Sequence, residues 1–125
     1  MAITFDPKIP IYIQLASLMT GKIISGHWAA GDKVDSVRDL AVFYQVNPNT
    51  VQRALSEMER EGLVYSERTS GRFITSDEKR LQIARETRAQ SEISRFVNDM
   101  QDLGYDPDAC IELLKKYVEE GAKRV

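Results

Sequence analysis

Asn47-Pro48-Asn49-Thr50-Val51-Gln52-Arg53-Ala54-Leu55-Ser56-Glu57-Met58-Glu59-Arg60-Glu61-Gly62 decides the fold. Asn47 is a strong helix N-cap and Pro48 suits the first helical position, where its missing N–H costs nothing. Val51, Ala54, Leu55 and Met58 then recur at helical spacing on one face until Gly62 closes the run. A helix is predicted there with Asn49, Gln52, Arg53 and Ser56 turned away from the core, and with Asn47 and Thr50 near its start.

Working upstream, Ser36-Val37-Arg38-Asp39 has the form of a capping box, in which the Ser36 hydroxyl and the Asp39 carboxylate each satisfy a free backbone N–H. A short helix from there to about Tyr44 meets the next one after only a few residues, which is how a helix-turn-helix looks in sequence. Further upstream, Pro10 is placed in the first turn of another helix, whose apolar face is Tyr12, Leu15, Leu18, Met19 and Ile23 and whose end is Gly26. Downstream the period changes. Leu63-Val64-Tyr65 and Arg72-Phe73-Ile74-Thr75 are β-prone, and Thr69-Ser70-Gly71 reads as the loop of a two-stranded wing.

From Asp77 a charged segment becomes densely apolar at Ile93, Phe96, Val97, Met100 and Leu103, and it predicts a long helix ended by Gly104. Asp106 and Pro107 then cap and start a last helix with the stripe Ile111, Leu114, Tyr117 and Val118. The fold class expected is mainly α with a small β-hairpin wing: a winged helix-turn-helix over residues 1–76, then a two-helix C-terminal tail over residues 77–125. The tail's stripes are too apolar for lone exposed helices, so either self-association as a homodimer or packing back on the first helix must cover them.

Composition narrows the chemistry. The chain has 125 residues, 42% hydrophobic and 29% charged, the balance of a folded globular protein. Its net charge of −2 argues on its face against nucleic acid. Residues 1–76 nevertheless hold eight basic against eight acidic side chains, and the rest nine against eleven, so a surface for DNA depends on collecting arginines on one face. The candidates are Arg38 at the start of the second helix, Arg53, and Arg68 and Arg72 beside the wing loop. Each has a plainer reading: Arg38 pairs with Asp35 or Asp39, the wing arginines are solvated, and the polar face of the third helix is an ordinary exposed surface.

Enzyme chemistry is poorly served, with one histidine, one cysteine, no close metal-ligand spacing, no phosphate-cradling glycine loop and no cofactor motif. His27 beside Trp28 reads as part of a connection, and Cys110 as a packing residue. A lone cysteine, the lack of a charged apolar leader and the lack of any span long enough for a bilayer make the cytoplasm the expected compartment, away from membranes.

At this level of detail a family resemblance emerges. The runs Pro10-Ile11-Tyr12-Ile13-Gln14, Ile24 to Lys33, Ser36-Val37-Arg38-Asp39-Leu40-Ala41, Val46 to Ala54, Glu61-Gly62-Leu63-Val64 and Gly71-Arg72-Phe73-Ile74 together resemble the DNA-binding domain of GntR-family transcription regulators. The short tail is similar to that of the YtrA-like subfamily, in which two helices serve dimerisation. The resemblance implies double-stranded DNA as partner, with Arg38, the segment Asn47 to Arg53 and the wing around Gly71 in contact with it. It also implies a homodimeric repressor on a palindromic operator. Two departures from the family pattern stand out: Asp35 and Asp39 in the stretch around Ser36, and Ser70 before Gly71. A winged-helix module that binds another protein instead of DNA is the rival reading, and the sequence names no small-molecule effector.

Overall fold

Among residues 4–123, which the computed structural model describes, the elements run α1 (Ile11–Ile24), α2 (Val37–Tyr44), α3 (Pro48–Arg60), β1 (Val64–Glu67), β2 (Gly71–Ile74), α4 (Glu78–Asp102) and α5 (Pro107–Lys123). Two compact units divide the chain, residues 1–85 and residues 86–125.

The first unit is built on α3. Its inward stripe of Val51, Ala54, Leu55 and Met58 is fully buried and meets Leu15, Met19 and Ile23 of α1 and Leu40, Ala41 and Tyr44 of α2. Asn47 caps α3 with its side-chain oxygen, which accepts from the Asn49 N–H at 2.8 Å. Between α2 and α3 the chain turns through Gln45 in the left-handed region, φ 56°. Burial, with the Asp35 carboxylate nearby, pushes the Tyr44 phenol above its ordinary value and keeps it neutral in this core.

At the start of α2 the Ser36 hydroxyl accepts from the Asp39 N–H at 3.1 Å. This is half of the expected capping box. The reciprocal bond is not found among the described residues, and aspartate is one methylene shorter than the glutamate that usually reaches back. Replacing Ser36 by alanine should cost about 1 kcal/mol of stability, read as a shift in the urea midpoint at unchanged slope. No shift would mean that solvent caps α2 equally well.

β1 and β2 pair antiparallel from Val64 opposite Ile74 to Glu67 opposite Gly71. Val64 and Ile74 face the core, and across the next pair the rings of Tyr65 and Phe73 stack at 5.9 Å. Two expectations shift here. Gly71 opens β2 instead of lying in the loop, and its φ of 100° lets the strand leave a tight turn. A third segment also joins the wing: Val34 N–H donates to Arg72 O and Ile74 N–H to Asp32 O, both at 2.9 Å, with Lys33 bridged to Phe73.

Pro10 sits at the N-cap of α1 and not in its first turn. At the other end of the unit, Asp77 caps α4, its carboxylate accepting from the N–H groups of Lys79 at 3.0 Å and Arg80 at 3.3 Å. Leu81 is buried in the core with Ala84 against it, and Arg85 donates to the Ile24 carbonyl at 3.3 Å. The first turns of α4 thus complete the first unit.

The second unit has little interior of its own. Gly104, at φ 96°, ends α4, and Asp106 caps α5 by accepting from the Ala109 N–H at 2.8 Å. Cys110 is its one buried side chain among the described residues. Val97 and Met100 are half-buried, whereas Ile93, Phe96, Leu103, Ile111, Leu114, Tyr117 and Val118 are exposed, Leu103 and Tyr117 by 71% and 72%.

Candidate nucleic-acid interface

The helix-turn-helix puts one face of α3 and the start of α2 on the surface, because their other faces are consumed by the core. On α3, Asn49, Gln52, Arg53 and Ser56 are exposed and Thr50 is half-buried. Asn47 is exposed too, but its side-chain oxygen is committed to the cap, which leaves its amide N–H groups for any outside partner. These side chains carry the donors and acceptors that distinguish base edges in a major groove.

The arginines separate into two sets. Arg38 and Arg68 are exposed, and neither takes part in an ion pair among the described residues, so Arg38 does not pair with Asp35 or Asp39. Arg53 lies over the ring of Tyr12, with Cζ 3.9 Å from the centroid. Arg72 is held inward instead. Its Nε is 3.9 Å from the Glu59 carboxylate, its side chain is only 18% exposed, and that nitrogen is buried without a hydrogen-bond partner. Glu59 also accepts from the Ser66 hydroxyl, tying α3 to the wing.

The start of α2 and the wing tip line one open groove, with Asp35, Ser36 and Asp39 on one side and Ser70, Gly71 and Arg72 on the other. The groove offers the hydroxyls of Ser36 and Ser70 as donors and, beside them, the Asp35 and Asp39 carboxylates, which would oppose a phosphate. On α3 the acidic side chains are internally matched: Glu57 bonds Arg60, which holds the Arg60 guanidinium above its ordinary value, and Glu59 faces Arg72. Sequence reasoning missed Tyr12 as a partner of Arg53 and Glu59 as a partner of Arg72, since both pairs join separate elements.

His27 is exposed on the connection after α1. Among the described residues no group of three or more His, Cys, Asp or Glu side chains is placed to hold a metal ion. No helix among them is long and apolar enough to cross a membrane.

Residues 11–74, the whole helix-turn-helix and wing, match the model of the bacterial regulatory proteins of the gntR family. The chain belongs to the GntR family. It is therefore a DNA-binding transcription regulator and not an enzyme. The likeness to single relatives runs through the tail as well. A regulator of the helix-turn-helix type from Bacillus subtilis, YhcF, is 34% identical over 94% of this chain and 97% of its own length. The transcriptional repressor YtrA of the same organism is 32% identical over 91% and 90%. A GntR-family transcriptional regulator from Listeria monocytogenes has a structure that superimposes with a TM-score of 0.80 at 36% identity, covering 90% of this chain and 98% of that one. The resemblance to YtrA-type GntR regulators thus extends beyond the DNA-binding module to nearly the full chain.

Proposed function

We propose that this GntR regulator is a cytoplasmic repressor that binds a palindromic operator as a homodimer, residues 1–76 contacting DNA and residues 77–125 joining the two copies. The observation that carries it is the pairing of an exposed, unneutralised polar face on α3 with a tail that has almost no interior. Asn49, Gln52 and Arg53 are assigned to base edges of the major groove, with Asn47 and Thr50 at the approach to the helix N-terminus. Arg38, Arg68 and the wing around Gly71 are assigned to phosphates and groove edges. Arg72 serves from behind, through Glu59, by fixing the wing to α3.

For the tail, a second copy is the occupant because the apolar stripes of α4 and α5 are exposed in the same way on each chain, and a two-fold arrangement covers both at once. Two-fold symmetry also matches the palindromic half-sites, about one DNA turn apart, that helix-turn-helix dimers read with paired helices. The YtrA relative is named a transcriptional repressor, and repression by this chain would follow from steric occlusion of a promoter.

The first test is a mobility shift of the purified protein on DNA flanking its own gene, with excess competitor DNA, at two salt concentrations. A competitor-resistant complex that weakens steeply with salt is expected. A complex insensitive to salt, or none on any fragment alongside capture of a protein partner, would favour the protein-binding module instead. On the fragment so found, Arg38→Ala should weaken binding by about 10- to 100-fold, roughly 1–3 kcal/mol, with folding and oligomeric state unchanged because Arg38 is exposed and makes no ion pair among the described residues. Full affinity in that variant would remove Arg38 from the interface.

A further inference from the structure

One aromatic ring on α1 lies against the exposed face of α3. Arg53 leaves α3 on that face, and its guanidinium Cζ stands 3.9 Å from the centroid of the Tyr12 ring. Tyr12 is in the first turn of α1, half-buried and packed against the hydrophobic core, so the ring is a fixed plate. The start of α1 is itself pinned. Gln14 donates to the carbonyls of Asp6 and Ile9 and accepts from the Asp6 N–H, each at 2.8 Å.

An arginine offers two separate surfaces. The flat face stacks on a ring, while the N–H groups point outward in the guanidinium plane and stay available to acceptors. Those edges are not spent internally, because Glu57 is taken by Arg60 and Glu59 by Arg72 and Ser66, and no ion pair to Arg53 occurs among the described residues. A long side chain held in this way loses less rotamer freedom when it binds than one moving free in solvent.

We propose that Tyr12 is a positioning residue for operator recognition: its ring holds Arg53 by the face so that the N–H edge meets DNA in one orientation. The proposal rests on the assignment of α3 as the reading helix. Tyr12 acts without touching a base, and the hydroxyl is not needed for the effect.

The experiment compares full-length wild type, Tyr12→Phe, Tyr12→Leu, Arg53→Ala and the Tyr12→Leu/Arg53→Ala double variant on one DNA fragment that wild type binds in the presence of competitor. Thermal midpoint and oligomeric state are measured alongside. Tyr12→Phe is expected to bind within about twofold of wild type, since the ring face is kept. Tyr12→Leu, which keeps an apolar side chain but no π face, should lose about three- to tenfold. In the Arg53→Ala background, Tyr12→Leu should cost nothing further, so that the two losses fail to multiply. A purely structural role for the ring predicts the opposite, a loss that follows the thermal midpoint and persists without Arg53. Multiplying losses would overturn the proposal while leaving Arg53 on the interface, and equal losses in the Phe and Leu variants would overturn it in favour of a direct contact by the hydroxyl. Wild-type affinity in Arg53→Ala would remove Arg53 from the interface altogether and the positioning role with it.

Discussion

Leu114→Asp is expected to leave the protein monomeric and to weaken operator binding by about 10²- to 10⁴-fold, the range lost when two linked half-site contacts become one. Leu114 lies in the middle of the α5 stripe, half exposed between Ile111 and Val118, and with Lys115 and Glu119 these line a shallow apolar groove. In the proposed homodimer a carboxylate at this position would have no partner in the desolvated interface and would have to stay hydrated, which would hold the two copies apart. The helix itself tolerates the change, because the position faces outward in a single chain. Sedimentation equilibrium reads the assembly, circular dichroism checks that the helices persist, and a mobility shift gives the affinity. A dimer in the variant would place the interface elsewhere, and a monomer with unchanged operator affinity would separate assembly from DNA binding.

Leu55→Ala should lower the unfolding free energy by about 2–5 kcal/mol, the cost of lost burial plus the cavity left behind. Leu55 is 1% exposed, on the helix against which α1, α2 and β1 pack, and it lies in one cluster with Leu15, Met19 and Met58. Small domains are stable by only about 5–15 kcal/mol, so the change removes a large fraction and a shift in the operator complex should follow on warming. The comparison is made by urea unfolding at one fixed protein concentration, because the proposed assembly would make apparent stability depend on concentration. A loss below about 1 kcal/mol would mean that α1 and α3 close the cavity by moving together.

These two variants probe different kinds of information in the chain. The α3 stripe was legible because a 3.6-residue period, an asparagine cap and a proline at the first position are all local. Val51, Ala54, Leu55 and Met58 are the side chains that the structure buries. The same held for Ser36 before α2, for Asp106 before α5 and for Gly104 between the last two helices, whereas the cap that Asp77 gives α4 was not read from the sequence. The resemblance to the GntR family rested on such ordered local runs, and the match over residues 11–74 covers all of them but Pro10.

Other features were not local. Residues 31–34 join the wing through partners some 40 positions later in the chain, and a segment that short carries no alternation to announce a strand. Val42 and Phe43, 75% and 67% exposed, stay outside because Leu40, Ala41 and Tyr44 take the core face of α2, and eight residues give a helix only one inward stripe.

By itself, then, the sequence determined the helices, the caps at Ser36, Asn47 and Asp106, the hairpin and the inward faces, because each depends on residues within a turn or two of one another. The tertiary structure alone decided which arginines face outward uncommitted. Arg38, Arg53, Arg68 and Arg72 are equivalent as letters, yet Arg72 is drawn to Glu59 and Arg53 is laid on Tyr12, while Arg38 and Arg68 meet no carboxylate among the described residues. Charge availability is set by neighbours brought together across the core, and no window along the chain contains them.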